Sequence, residues 1–392
     1  LVMAMLMLTG GKLGDIWGRR RAFKVGLVIY AAGSALTAVS WSVGALFVGW
    51  SVLEGIGAAL VLPALVALVA GHYTGRARVT AFGVIGGVAG AGIAVGPILG
   101  GWVTTNLTWR GVFVGEVILA LAIVLLARLI TDSRLEGRKP DLDWVGSVLS
   151  ALGLGLIVLG VLSASNWGWV EPRNSPVEPL GFSLTPFVII AGFLVLRAFR
   201  QWERRREARG EDPLVRLELF RNDQLRSGLA TFLAQNTILL GVFFVIPLYL
   251  QIVLGFDAFE TGLRMLPISI AMFVTSASGP KFAERWSARG IVRTGFVFLV
   301  AATVLMLSTI EPELDGGAFL ASLTVLGIGM GLIASQLGNV VQSAVGPEDR
   351  SEAGGLQWTS QQLGSALGTA LIGAIVIGGL VNAYLDRIEQ DE

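Results

Sequence analysis

Gly10-Gly11-Lys12-Leu13-Gly14-Asp15-Ile16-Trp17-Gly18-Arg19-Arg20-Arg21 separates two apolar runs, Leu1–Thr9 and Ala22–Ser40. Glycines permit a tight turn and a close approach between helices. Consecutive arginines are too costly to leave in lipid, so the stretch predicts a water-facing loop, cytoplasmic by its positive charge. One acid, Asp15, is embedded in this basic loop.

Composition carries the reading outward. The 392 residues are 54% apolar and 15% charged, against roughly 25% charged in soluble domains. Depletion over the whole length predicts an all-α polytopic membrane protein, with the lipid bilayer as its solvent. The 52 glycines suit helices that pack backbone to backbone in lipid. The absence of cysteine excludes disulfides and thiolate metal sites. The single histidine, His72, lies in a polar turn and reads as a solvated loop residue, with no metal implied. Basic residues are parcelled into loops and the net charge is +1, which does not point to nucleic acid.

Apolar spans follow at 22–40, 44–70, 78–104, 110–131, 144–163, 183–202, 225–250, 260–279, 291–310, 317–345 and 351–381. Each is long enough to cross a bilayer and none alternates like a strand. Leu1–Thr9 is about half of the roughly 20 residues a crossing needs, so it is expected to be the inner half of a truncated helix. Alternation puts the loops 71–77, 132–143, 203–224 and 280–290 inside, where the basic residues are (Arg76; Arg134, Arg138 and Lys139; Arg204 to Arg206; Lys281 and Arg285). The opposite turns, Trp41–Gly44, Thr105–Thr108 and Glu311–Asp315, are nearly free of base, and the tail Asp386–Glu392 falls outside. Most tryptophans sit at span ends, as interfacial rings do; Trp50 and Trp358 lie within spans.

The second half echoes the first. Lys281-Phe282-Ala283-Glu284-Arg285-Trp286 matches Lys12-Leu13-Gly14-Asp15-Ile16-Trp17, acid on acid and Trp on Trp. Arg350 followed by Gly364 and Gly368 keeps the spacing of Arg78 followed by Gly92 and Gly96. Parallel halves of this kind are one of the repeat architectures of secondary transporters.

Two motifs carry a family resemblance. Gly11, Leu13, Asp15, Gly18, Arg19 and Arg20 resemble the loop signature G-x-L-a-D-r-x-G-r-r of the major facilitator superfamily; Ile16 stands where that signature has an arginine. Gly83, then Gly92, Gly96, Pro97, Gly100 and Gly101, resemble that superfamily's antiporter motif g-x8-G-x3-G-P-x2-G-G. The resemblance implies a major facilitator fold of two pseudo-symmetric helical bundles. Spans 144–163 and 183–202, which have no counterpart in either half, resemble the extra central pair of the fourteen-helix drug:proton antiporter family. The domains are then residues 1–131, an N-terminal bundle lacking its first helix, 132–224, a linker with two extra helices, and 225–392, a C-terminal bundle lacking its last helix. The resemblance also implies that the antiporter glycines form a hinge between halves. Physically, Gly92, Gly96 and Gly100 recur every fourth residue as a smooth groove and Pro97 bends the helix; ordinary small-residue packing is the other reading. Asp15 is expected to clasp the positive N-terminal end of the span beginning near Ser351 and close a cytoplasmic gate.

Candidate chemistry lies inside the spans. Glu54 is ten residues into the span 44–70, roughly 15 Å deep at about 1.5 Å per residue. A carboxyl group there must face a cavity, be paired or be protonated. Trp50 is one turn away and offers an aromatic face to a lipophilic cation. Leu46–Pro63 resembles the family's fourth-helix motif R-x-x-q-G-x-g-a-a, with Gly55, Gly57, Ala58 and Ala59 in place, but Ser51 replaces its arginine and Glu54 its glutamine. Glu54 is therefore the first candidate for proton coupling in place of the missing arginine, beside a structural reading as a hydrogen-bonded neutral acid. Glu116, in a Trp109-Arg110-x-x-Phe113 stretch typical of the family, is the second; a helix-end pair or solvated acid is the favoured reading. Gln235, Asn236, Gln336, Asn339, Gln357, Trp358 and Gln361 either line a polar substrate cavity or bond between helices.

The sequence has no G-x-x-x-x-G-K-[ST] loop, which leaves an ion gradient as the energy source, and no nucleophile constellation, cofactor motif or enzyme site. The expected function is proton-coupled efflux of lipophilic or cationic small molecules by alternating access, from a bacterial inner membrane, by a monomer. Export or uniport of one specific metabolite and a transport-inactive scaffold or sensor are the alternatives.

Overall fold

The computed structural model describes residues 1–130, 141–309 and 316–391. The predicted loop residues Arg134, Arg138 and Lys139, the acids of 311–315 and Glu392 lie outside them. The described chain is helical throughout and contains no strand. Its elements are α1 (Val2–Trp17), α2 (Arg19–Ala38), α3 (Val43–Leu46), a π-helical segment (Phe47–Leu53), α4 (Glu54–His72), α5 (Gly75–Asn106), α6 (Arg110–Leu126), α7 (Trp144–Trp167) and α8 (Leu184–Ala208). Then come α9 (Asp223–Leu248), continued by a π segment (Tyr249–Val253), α10 (Ala258–Ala277), the short α11 (Gly279–Ala283), α12 (Ala288–Leu307), α13 (Gly316–Ser343) and α14 (Arg350–Asp391). Since α3 runs through the first π segment into α4, each apolar span of the sequence corresponds to one long helix. Polar side chains start several of them: Asp143 accepts from Gly146 N–H at the head of α7, and Asp257 forms a capping box with Glu260 on α10.

Three expectations are corrected. The glycine-rich stretch Gly10–Trp17 is not a loop but the last two turns of α1. The turn is one residue, Gly18, whose φ of 90° suits glycine alone, and Arg19 already begins α2. Lys12 and Arg19 are buried, so only Arg21 and part of Arg20 face water. Second, α7, α8 and α14 run past their predicted ends at 163, 202 and 381, since polar, helix-favouring residues such as Glu203, Arg204 and Arg205 continue them beyond the lipid. The tail beyond 381 is helical as far as Asp391.

The third concerns the antiporter glycines. α5 leaves α6 and packs on α10 and α13. Its contact face is Gly83, Gly86, Gly87 and Gly90, against Ser276, Ala334, Phe273 and Met272. Gly92 lies nine residues, two and a half turns, beyond Gly83 and so on the opposite side of the helix. A Cβ at Gly92, Gly96 or Gly100 would meet open space. Gly83 thus belongs to the seam with α10, whereas the regular ladder does not; Gly101 is on α5 as expected, and the Pro97 side chain lies outside the described residues. The echo positions Gly364 and Gly368 instead press on the Leu233 and Thr237 carbonyls of α9.

α1 is the wedge of the assembly. It lies between α4 and α14, and it also meets α7. Gly10 touches the Ala59 carbonyl of α4, while the adjacent Gly11 would place a Cβ 2.8 Å from the Ser351 carbonyl of α14. Two glycines in succession thus let both neighbours approach to backbone distance. α2 grips α4 and the π segment before it in the same way, through Gly26 with Gly57 and Gly33 with Gly49. The largest apolar core joins α9, α10, α12 and α13 around Leu250, Ile268, Leu323 and Met330. α7 and α8 pair, and α7 attaches the pair to α1 and α14.

Gly10→Ala should lower stability by about 1–3 kcal/mol, because backbone must move. Gly96→Ala should leave stability unchanged or raise it by up to about 1 kcal/mol. Thermal unfolding of the two purified variants in detergent measures the contrast.

Candidate functional site

Two polar constellations stand out, one inside the apolar helical spans and one at the end where the basic loops lie. The first is built on α2, α4 and α6. The π segment Phe47–Leu53 ends at Glu54, the first residue of α4. Such wide turns inside an α-helix are rare and concentrate at functional sites. Glu54 is 6% exposed and its carboxyl faces α2. Ser34 of α2, fully buried, sits with Oγ 2.9 Å from Glu54 Oε1 and 3.1 Å from Glu116 Oε2 of α6. The Tyr30 hydroxyl, one turn away on α2, donates to Glu116 Oε2 at 3.4 Å.

A serine hydroxyl has one proton to donate. It can donate to one of the two carboxylates; the other contact is completed when that carboxyl carries a proton and donates to Ser34 Oγ. The geometry therefore accommodates two acids and one shared proton. Glu116 is not the partner of Arg110, whose guanidinium donates to the Ser40 carbonyl at 2.8 Å and stacks 4.6 Å from the Trp109 ring centre. Trp50 is half exposed one turn from Glu54, and its ring meets Phe113 edge-on at 5.7 Å; Trp109 meets the other side of Phe113 at 5.9 Å. Ser51, at the position of the motif arginine, is exposed and takes no part. Sequence reasoning missed Ser34 and Tyr30, although two polar residues four apart in an apolar span mark one helix face.

The second constellation ties α1 and α2 to α14 at the end where the basic loops lie. Asp15 lies beside the Ser351 hydroxyl in the first turn of α14, 3.6 Å from Arg19 Nη2. Arg19 donates to Ser351 Oγ at 3.1 Å, to the Pro347 carbonyl at 3.1 Å and to the Ala67 carbonyl at 3.4 Å. One residue on, Glu352 pairs with Lys12 at 3.4 Å, both side chains about 95% buried, and its second oxygen accepts from the Arg216 backbone N–H. Arg350 donates to the Ala70 carbonyl at 2.7 Å. Glu284, the echo of Asp15, pairs with Arg76 in the first turn of α5, so each acid meets the start of a helix from the other half. Arg78 donates to Asn339 Oδ1 at 3.0 Å and Ser276 to the Gly83 carbonyl at 3.0 Å. Of the expected gating residues, Gly11 supplies the close approach, Gly18 the turn, and Arg20 donates to the Ala127 and Arg128 carbonyls of its own half. Lys12, Arg78, Arg216 and Glu352 were not expected there; charged residues bracketing the two echoed stretches are the signal that could have found them.

The polar residues of the second half divide. Asn339 belongs to this seam. Gln336, 1% exposed, donates to the Gly279 carbonyl, and Gln235 lies 3.5 Å from the Met330 carbonyl, so both bond between helices. Asn236 bonds to Phe232 one turn back on its own helix. Gln357 and Trp358 are buried or nearly so, with Gln357 Oε1 and Trp358 Nε1 unpartnered, and Gln361 is half-buried one turn on. Those three face one another's turn of α14 and keep polar capacity in reserve. His72 donates from Nδ1 to the Leu68 carbonyl of its own helix.

A buried ion pair broken on one side leaves an uncompensated charge. Glu352→Leu should therefore destabilise by about 3–5 kcal/mol, and adding Lys12→Met should recover most of that loss. Unfolding midpoints of the single and double variants test the pair.

The family model described as Major Facilitator Superfamily matches residues 1–369. The tetracenomycin C resistance and export protein of Streptomyces glaucescens is 32% identical over 390 residues, covering 99% of this chain and 69% of its own length. The multidrug efflux pump LfrA of Mycolicibacterium smegmatis is 30% identical, covering 96% of this chain and 71% of its own. The chain thus spans about two thirds of the length of these relatives. The human organic anion transporter MFSD10 shares the fold at a TM-score of 0.67, with 16% identity over 95% of this chain and 75% of that one. Twelve long helices among the described residues, a polar seam between helices of distant spans and this match agree: the chain belongs to the major facilitator superfamily of membrane transporters.

Proposed function

We propose that the protein is a proton-coupled exporter of lipophilic or cationic small molecules, of the fourteen-helix drug:proton antiporter type. The observation that carries this reading is the Ser34 hydroxyl between Glu54 and Glu116, at 2.9 and 3.1 Å. Two carboxyls that share a proton through one hydroxyl can release it to one side and regain it from the other. Trp50 and Phe113 beside them offer the aromatic faces that attract an organic cation. A cation arriving at the pair favours its doubly ionised form, so substrate and proton compete for the same charge. The names of the relatives, resistance and efflux proteins of bacteria, support export. Their bacterial sources also support a bacterial inner membrane as the place of work.

In this reading residues 1–131 and 225–392 are two halves that rock about the seam, and the helices within 132–224 are an insertion between them. The reciprocal contacts of Asp15 with α14 and Glu284 with α5 support that division. The seam is closed on the cytoplasmic side, so Asp15 and its neighbours hold the inner gate shut until both halves tilt. Gln357, Trp358 and Gln361 are the first candidates for the substrate path in the second half.

Reconstitution in vesicles with an imposed pH gradient tests the coupling. Glu54→Gln and Glu116→Gln should each reduce gradient-driven export of a lipophilic cation at least tenfold, with correct membrane insertion. Full coupling in both variants would remove the pair from the mechanism. Asp15→Asn should slow export several-fold while leaving gradient dependence intact, since it acts on the gate and not on the proton. A substrate panel separates a multidrug exporter from a carrier of one metabolite.

A further inference from the structure

One cavity has no part in the mechanism above. It measures about 710 Å³ and opens between α8 and α9 near their cytoplasmic ends. α8 packs along α7 and leaves a gap between itself and α9. The walls are apolar: Leu154 of α7, Leu196 and Phe199 of α8, Leu229 of α9, with Leu8 of α1 and Leu356 of α14 at the base. The rim is basic. Arg200 and Arg204 are one turn apart on α8, exposed, and form no ion pair among the described residues. The acids of the rim are already engaged: Glu207 accepts from the Leu217 N–H at 2.7 Å and Glu218 lies 3.8 Å from Arg221. Arg226 is paired with Asp223 at 3.1 Å. Two guanidinium groups without an acid among the described residues thus stand over an oily cleft, at the helix end that the basic loops mark as cytoplasmic.

We propose that this cleft holds one anionic phospholipid of the cytoplasmic leaflet, with its phosphate at Arg200 and Arg204 and its acyl chains against the leucine walls. Basic pockets between transmembrane helices on the cytoplasmic side have the chemistry for such headgroups, and Arg presents the fork that matches a phosphate. The volume suits a headgroup with the first part of its chains, the remainder lying in the bilayer through the gap between α8 and α9. Because its base is formed by α1 and α14, the lipid bridges the inserted helix pair to the seam between halves. The inference rests on the cleft alone and does not depend on proton coupling.

Native mass spectrometry of the purified protein, incubated with phosphatidylglycerol or with phosphatidylcholine of the same chains, tests this. One phosphatidylglycerol should be retained at least tenfold more than phosphatidylcholine. Arg200→Gln with Arg204→Gln should reduce that retention about tenfold to thirtyfold. Arg205→Gln with Arg209→Gln, which removes the same charge from the same helix end outside the cleft, should leave it unchanged. Equal loss in both double variants, equal retention of the two lipids, or displacement by inorganic phosphate would overturn the proposal.

Discussion

The structure depends on how closely α1 is gripped from two sides. Gly10 and Gly11 are adjacent, so they face different neighbours about 100° apart around the helix. One lets α4 in and the other lets α14 in. Everything that joins α1 to α14 at the end bearing the basic loops follows from that approach. Only when the α1 and α14 backbones nearly touch can Lys12 reach Glu352 and Arg19 reach Ser351. In lipid there is no hydrophobic force to press helices together, so close van der Waals contact and hydrogen bonds carry the association.

The seam so formed is polar and dry, and that combination suits a gate. A purely apolar contact between halves would be replaced by lipid or substrate with little directional preference. A network in which Ser351 accepts from Arg19 and faces Asp15 has one good arrangement, and it is lost as a unit when the halves separate. The outer part of α5 is different, with exposed Val95, Leu99 and Trp102 and a ladder of glycines that meets nothing. Contacts are thus concentrated at one end of the interface, so the two ends resist separation unequally.

Much of this was legible in the sequence because lipid imposes simple rules. Runs of about 20 apolar residues, basic loops on one side and tryptophans at span ends gave the order of the helices, though α1 and α14 run well past their spans, and the echo of Asp15 by Glu284 marked the repeat. The failures have physical causes. Glycine is ambiguous: Gly10, Gly11 and Gly14 were read as a turn, but in a helix pressed between neighbours the missing side chain serves packing, and Gly18 alone serves the turn. A spacing of four says that Gly92, Gly96 and Gly100 share a face, not which neighbour that face meets. For Glu116 a local helix-end pair or a solvated acid was the favoured reading, whereas Ser34, eighty-two residues away in sequence, is a group it reaches. Proximity in sequence overstates local pairing when helices from distant spans are in contact.

The length of α14 has a mechanical consequence. Its 42 residues contain no proline to act as a joint, and at about 1.5 Å each they form a rod roughly 63 Å long. The foot of that rod is the Ser351 and Glu352 anchorage. A swing of roughly 10° about the foot would carry the far tip by about 11 Å for a rod of that length. A displacement too small to disturb side-chain packing at the base thus becomes, by leverage alone, a movement the width of a helix on the opposite face of the membrane.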